Sequence, residues 1–139
     1  MTETFKSQIN NNQIDSYHKN KKTVVIGASA KPIRYSYSAV SNLKKKGYPV
    51  EAIGLRKDLI GDVEIQTGRP LIKGTHTVTI YVGPKNQSGF YDYIINELQP
   101  KRIIFNPGTE NDEFEALARG KGIEVLVGCT LVMLASDSF

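Results

Sequence analysis

Apolar residues fall along this chain in two alternating rhythms. Residues 22–26, 50–53, 78–82, 102–105 and 123–127 are short, nearly continuous runs of Val, Ile, Thr and Phe. Such side chains fit strands packed on both faces. Between them the spacing lengthens to that of a helix. Ala39, Val40 and Leu43 share one face of a segment that stops at Gly47, with Ser36 and Ser38 as candidate N-caps. Phe90, Ile94, Ile95 and Leu98 mark a second helix, capped by Asn86 or Ser88 and closed by Pro100. A third is expected from about Asn111 to Arg119, with acidic Glu110, Asp112 and Glu113 near its start and basic Arg119 and Lys121 near its end. Gly120 and Gly122 stop it. Residues 59–77 are the least regular part, and only 63–65 offers a short extra strand. Residues 131–134 are an apolar tail expected to pack on the sheet.

Strands alternating with helices imply an α/β fold: a doubly wound, five-stranded parallel sheet of Rossmann-like, three-layer α/β/α design. Right-handed crossovers bring every strand-to-helix loop to one edge of that sheet, where ligands of such folds bind. The loops meeting there are 27–37, 54–58, 83–86, 106–111 and 128–130. Residues 1–21, rich in Asn, Gln, Ser and Lys, read as a flexible tail or loosely docked arm in which His18 is solvated. Residues 22–139 read as the folded domain.

Composition narrows the functions. At 139 residues and 15.4 kDa the chain has the length of one domain. No apolar run approaches the roughly 18 residues a membrane span requires, and the first residues lack the apolar core of a signal peptide. A single cysteine excludes an intrachain disulfide and fits a reducing cytoplasm. The net charge of +4 raises nucleic acid as a partner. Its densest run, Lys44, Lys45 and Lys46, instead lies at a helix end where cations complement the dipole, and no aromatic–basic interleaving occurs. Neither a nucleic-acid nor a membrane partner is therefore expected, and a homodimer is plausible for a domain this small.

The candidate chemistry begins at the first strand-to-helix turn. Gly27, Ala28 and Ser29 end the strand, and Pro32 holds Lys31 away from the helical region. The helix that follows opens with unpaired N–H groups and a partial positive charge, which Lys31 and Arg34 reinforce, so the turn suits a phosphate. It is not a full G-x-G-x-x-G motif, because Ser29 stands at the second glycine. A turn of this kind also forms without a ligand. At the end of the second strand, NAD-binding units carry a carboxylate for the ribose hydroxyls. Here Gly54 and Leu55 are followed by Arg56 and Lys57, which suits a phosphate on the adenosine ribose, as in NADP or coenzyme A.

Val25-Ile26-Gly27-Ala28-Ser29-Ala30-Lys31-Pro32, then Arg34 to Tyr37, Leu43 and Gly47-Tyr48, resembles the small stand-alone CoA-binding proteins. These are single-domain relatives of the CoA-binding domain of the succinyl-CoA synthetase α subunit. The likeness continues through Arg56, Leu59 to Gly61, Phe105 to Gly108, Gly122-Ile123 and Cys129, and covers about residues 22–134. It implies a coenzyme A or acyl-CoA ligand. Gly27, Ala28, Ser29 and Lys31 would line its pyrophosphate, Ser36 and Tyr37 would open the helix above it, and Arg56 would meet the ribose phosphate. Arg34, Gly54, Leu55, Val82, Gly83, Asn106, Pro107, Gly108 and Cys129 complete the expected site. Many relatives have Asn-Pro at Gly54-Leu55 and Gln at Asn106.

The synthetases' phosphorylated histidine belongs to a further domain not found in this chain. His18 and His76 both lie away from the strands' carboxyl ends and read as surface or loop residues. Cys129 can face a thioester or serve as a small apolar filler. Thr109 can touch ligand or cap the third helix. No His/Cys cluster suggests a metal, and no Ser-His-acid set falls at one edge. The expected function is binding without catalysis, regulatory or as a carrier. The alternative is a small NADP-dependent oxidoreductase, whose proton donor would come from Tyr37, Tyr81 or Cys129.

Overall fold

The computed structural model describes residues 18–139. Of the arm expected over 1–21, residues 1–17 lie outside the described residues. A seven-stranded sheet forms the middle layer: β1 (Thr23–Ile26), β2 (Val50–Ile53), β3 (Asp58–Ile60), β4 (Val63–Gln66), β5 (Thr77–Ile80), β6 (Arg102–Phe105) and β7 (Glu124–Val127). Its spatial order is β3-β4-β2-β1-β5-β6-β7. All pairs are parallel except β3 with β4. Counting only the parallel strands, this is the 3-2-1-4-5-6 order of dinucleotide-binding folds, which reverses direction between β1 and β5.

The expected five parallel strands are all present, and β2 and β6 have the expected bounds. The correction is at one edge. Residues 59–77 begin with a hairpin in which β4 extends the parallel sheet beside β2 and β3 turns back antiparallel.

Alternation along the strands sorts the core into two layers. Val24 and Ile26 of β1 face a cluster with Ile94, Ile95, Leu98, Phe114 and Ala118. Val25 faces the opposite cluster, with Val40, Leu43, Ala52, Ile104 and Leu134. Every one of these side chains is less than a tenth exposed, and each aliphatic so buried stabilises the fold by about 1.5–3 kcal/mol.

Helix α1 (Tyr35–Lys45) covers the second face with Ala39, Val40 and Leu43 turned inward. Neither Ser36 nor Ser38 caps it. Arg34 is the N-cap residue, its side chain makes no capping bond, and Ser36 is buried inside the first turn. Gly47, at φ +86°, closes the helix: its N–H donates to the Lys44 carbonyl, and that of Tyr48 to Leu43, the paired bonds of a Schellman stop.

The second expected helix takes another form. Two short 3₁₀ turns, Pro84–Asn86 and Ser88–Phe90, lead into a π-helix, Tyr93–Leu98. The Gln99 N–H reaches back five residues to the Ile94 carbonyl, and the wide turn buries Tyr93, Ile94, Ile95 and Leu98 together. Asn86 and Ser88 therefore cap nothing.

Helix α2 (Asp112–Gly120) starts one residue later than expected, and its cap is Asn111, whose Oδ1 accepts the Phe114 N–H at 3.1 Å. Thr109 points elsewhere. The apolar tail is a short helix, α3 (Thr130–Ala135), packed on α1.

At the amino edge of the sheet His18 is not simply solvated. Its ring stacks on Tyr48 with centroids 4.3 Å apart, and Nδ1 lies 2.5 Å from the Lys46 carbonyl. Tyr48 in turn meets the Phe139 ring edge to face, and the Arg102 guanidinium sits over the Phe139 ring at 4.4 Å. His76 also lies at this edge, half-buried. Burial, with Arg102 nearby, lowers its pKa from the ordinary value.

Candidate functional site

At the opposite, carboxyl edge the loops are locked to one another. The Gly27 and Ala28 N–H groups both donate to the Ile53 carbonyl at 2.9 Å, fastening the end of β1 to the end of β2. Gly27 has φ +95°, and a Cβ there would lie 2.9 Å from Val82 Cγ2. Gly54 is more constrained still: a Cβ on it would come within 2.3 Å of the Ala28 carbonyl oxygen. Both glycines are thus required by close approach, and they bring the ends of β1, β2 and β5 together at the reversal point.

The wall formed by β1 and β2 carries charge without partners. Lys31, Arg34, Arg56 and Lys57 are exposed and enter none of the ion pairs among the described residues. The first turn of α1 holds no acidic residue and no side-chain cap, so its positive end is unneutralised. Ser29 Oγ accepts the Lys31 N–H at 3.2 Å and shapes the turn. Leu55 and Ile33 stand almost wholly in solvent beside these cations, 98% and 88% exposed. Tyr37 is half-buried against the α1 face of the core.

The far wall, built on β5, β6 and β7, is saturated with internal hydrogen bonds. Asn106 is buried and fully engaged. Its Nδ2 donates to Thr79 Oγ1 at 2.7 Å and to the Ile80 carbonyl at 2.9 Å, while Oδ1 accepts the Thr130 N–H at 2.9 Å. Thr79 and Thr130 hydroxyls lie 2.7 Å apart, and Thr109 Oγ1 donates to the Asn106 carbonyl at 2.8 Å. The side chain of Asn106 thus orients the three loops and leaves Pro107 and Gly108, both exposed, as the outward part of that turn. Val82 is half-buried, Gly83 exposed, and Cys129 half-buried at the N-cap of α3.

The Tyr81 hydroxyl is fully buried beside Thr130 and Thr79 and makes no well-formed hydrogen bond, those two hydroxyls being paired with each other. Burial pushes its pKa up to about 12. A phenol held neutral so firmly is a weak proton donor and no base near neutral pH.

All sixteen expected site residues thus lie on loops or helix starts of this edge, with Asn106 and Ser36 turned inward. Sequence reasoning missed Thr79 and Gln87, and placed Thr130 in an edge loop without its hydrogen-bonding role. The alternation Thr77-Val78-Thr79-Ile80 on a buried strand was the available sign, since each buried hydroxyl needs a partner. The open hollow of about 500 Å³ against the β3–β4 hairpin is a poorer candidate, because Glu51, Asp62 and Glu64 outweigh Lys44 in its lining and would repel a phosphate.

The order of the strands, the reversal at β1 and β5 and the cationic first turn define a Rossmann-like domain with a cationic carboxyl edge. Residues 21–135 match the family described as the CoA binding domain, and the chain belongs to that family. It is similar to an uncharacterized protein of known crystal structure, at 45% identity and TM-score 0.82 over 86% of this chain and 98% of that one. A hypothetical protein from Pyrococcus horikoshii OT3 shares the fold at 19% identity, with TM-score 0.75 over 91% and 87% of the two chains. A Thermus thermophilus protein shares it at 21%, with TM-score 0.73 over 94% and 100%. No curated protein matches the chain. Among the described residues no helix is long and apolar enough to cross a membrane.

Proposed function

We propose that this chain binds coenzyme A or an acyl-CoA across the carboxyl edge, as a regulatory or carrier module rather than a catalyst. The observation that carries the reading is the set of partnerless cations Lys31, Arg34, Arg56 and Lys57 around the uncapped start of α1. The pyrophosphate sits on the first turn, between Ser29 and the α1 N-terminus, and Arg56 takes the ribose 3′-phosphate. Membership of the CoA binding domain family supports the ligand. Exposed Leu55 and Ile33 offer apolar surface where a base would lie against the loops.

Native mass spectrometry of freshly purified protein, then titration with coenzyme A, dephospho-coenzyme A and NADPH, tests the reading. A retained or competing coenzyme A mass is expected. NADPH binding that coenzyme A fails to displace would replace it with the NADP reading, and with Tyr37, Tyr81 and Cys129 as residues to examine.

A further inference from the structure

Gln87 lies between two short turns in a stretch with no regular pattern, yet it is 1% exposed. Its amide joins the loop after β5 to the turn after β6. Nε2 donates to the Val82 carbonyl at 2.9 Å and to the Thr109 carbonyl at 2.7 Å, and Oε1 accepts from Asn111 Nδ2 at 2.9 Å. Asn111 also donates to the Tyr91 hydroxyl at 2.8 Å while its Oδ1 caps α2. Both amide hydrogens of Gln87 are thus used between the loop after β5 and the turn after β6. Around this joint the outward residues Gly83, Pro84 and Lys85 are exposed on one side, and Pro107 and Gly108 on the other.

We infer that Gln87 is the positioning residue of the far wall: it sets the width of the crevice that receives the part of the ligand beyond the pyrophosphate. This rests on the coenzyme A reading, in which that part is the pantetheine arm with any acyl group. The asymmetry of the edge supports the assignment. The near wall offers free charges to phosphates, whereas the far wall spends its buried polar groups on one another and presents a fixed surface whose outward charges, Lys85 and Glu110, are of opposite sign, which suits a long neutral arm better than a phosphate. A buried amide with both donors and its acceptor engaged fixes such a surface, because moving either loop would strand polar groups out of water.

Two variants separate this role from mere folding. Gln87→Met keeps the length of the side chain and removes all three bonds. Asn111→Asp retains the acceptor that caps α2 and removes the donor to Gln87. Two readouts are taken on the full chain: amide hydrogen exchange of residues 83–90 without ligand, and dissociation constants for coenzyme A and for adenosine 3′,5′-bisphosphate, which lacks the arm. Both variants are expected to speed exchange in 83–90 by about tenfold, with β1 unaffected. They are also expected to weaken coenzyme A about tenfold, a change of about 1.4 kcal/mol, while the bisphosphate changes less than about twofold. Unchanged exchange in folded variants, or equal loss for both ligands, would overturn the inference. If the unmodified protein binds the bisphosphate as tightly as coenzyme A, the arm makes no contact here and the inference also fails. Binding of neither ligand by the unmodified protein would instead sink the coenzyme A reading, while exchange still reports whether Gln87 holds the loops.

Discussion

Arg56 is the residue whose loss should be most selective. It is exposed at the end of β2 and has no carboxylate to neutralise it among the described residues. Arg56→Ala is expected to weaken coenzyme A by about tenfold and dephospho-coenzyme A by less than about twofold, since charge-assisted bonds contribute roughly 1.5–3 kcal/mol. Isothermal titration of both ligands decides it, and equal losses would remove Arg56 from the 3′-phosphate. Gly54 tests the site's framework. Gly54→Ala drives a methyl to 2.3 Å from the Ala28 carbonyl, so the loops must separate at a cost of about 1–3 kcal/mol, seen as a lower thermal midpoint together with weaker binding.

Tyr81 behaves differently. An unfolded tyrosine ionises near 10 and this one at about 12, so between those values the unfolded chain has released a proton that the native chain keeps. Stability therefore falls as pH rises through that window. Tyr81→Phe should flatten part of the fall in a series of melts from pH 9 to 12. At pH 7 it should cost no more than about 1 kcal/mol, because the buried hydroxyl has only weak interactions with Thr130 and Thr79 to lose.

At the scale of elements, the outcome depended on how local each signal was. The strands β2 and β6 were legible to the residue because apolar runs end there at Gly54 and Asn106, and the parallel sheet followed from the βαβ alternation, whereas the strand order is set by tertiary packing. The β3–β4 hairpin was legible in principle. Gly61-Asp62 between two apolar stretches is a two-residue hairpin loop, with φ +61° at Gly61, and the absence of a helix-length segment before it obscured the pairing. Gly61→Ala places a Cβ in that left-handed conformation and is expected to cost about 1 kcal/mol, measurable as a shifted urea midpoint.

The π-helix left no distinct trace in the sequence, since Phe90, Ile94, Ile95 and Leu98 equally fit one face of an α-helix. Reading it as such required knowing that Gln99 would close the turn at positive φ before Pro100. The cap of α1 was misread because Ser36 satisfies the composition rule but lies two residues past the N-cap position, inside the first turn. The loops of the site were legible from topology. The bonds that hold them, through Gln87, Asn106 and Thr130, join residues more than twenty apart except for Gln87 to Val82, and no local pattern announces them.

The whole molecule is one sheet with an apolar layer on each face, and both layers run through β1, so neither can melt while the other stands. Loss of β1 would expose Val24 and Ile26 on one side and Val25 on the other. Unfolding followed by far-ultraviolet dichroism and by tyrosine fluorescence should therefore give one coincident transition. A ligand at the carboxyl edge then stabilises the amino edge equally, although the stacked His18, Tyr48, Phe139 and Arg102 groups lie at the other end of the strands. At one hundred times its dissociation constant coenzyme A adds about 2.7 kcal/mol, and for a domain of this size the midpoint should rise on the order of 10 °C. The same rise is expected for both signals and for amide exchange in β1 and β5. A shift confined to the loops would mean that binding orders the edge alone and that the two layers are less coupled than β1 requires. Raising the salt concentration should shrink the shift, because the charges that would hold the phosphates stand in solvent, where screening acts within about 8 Å at physiological ionic strength. A salt-independent shift would point instead to the apolar surface of Leu55 and Ile33 as the larger source of affinity.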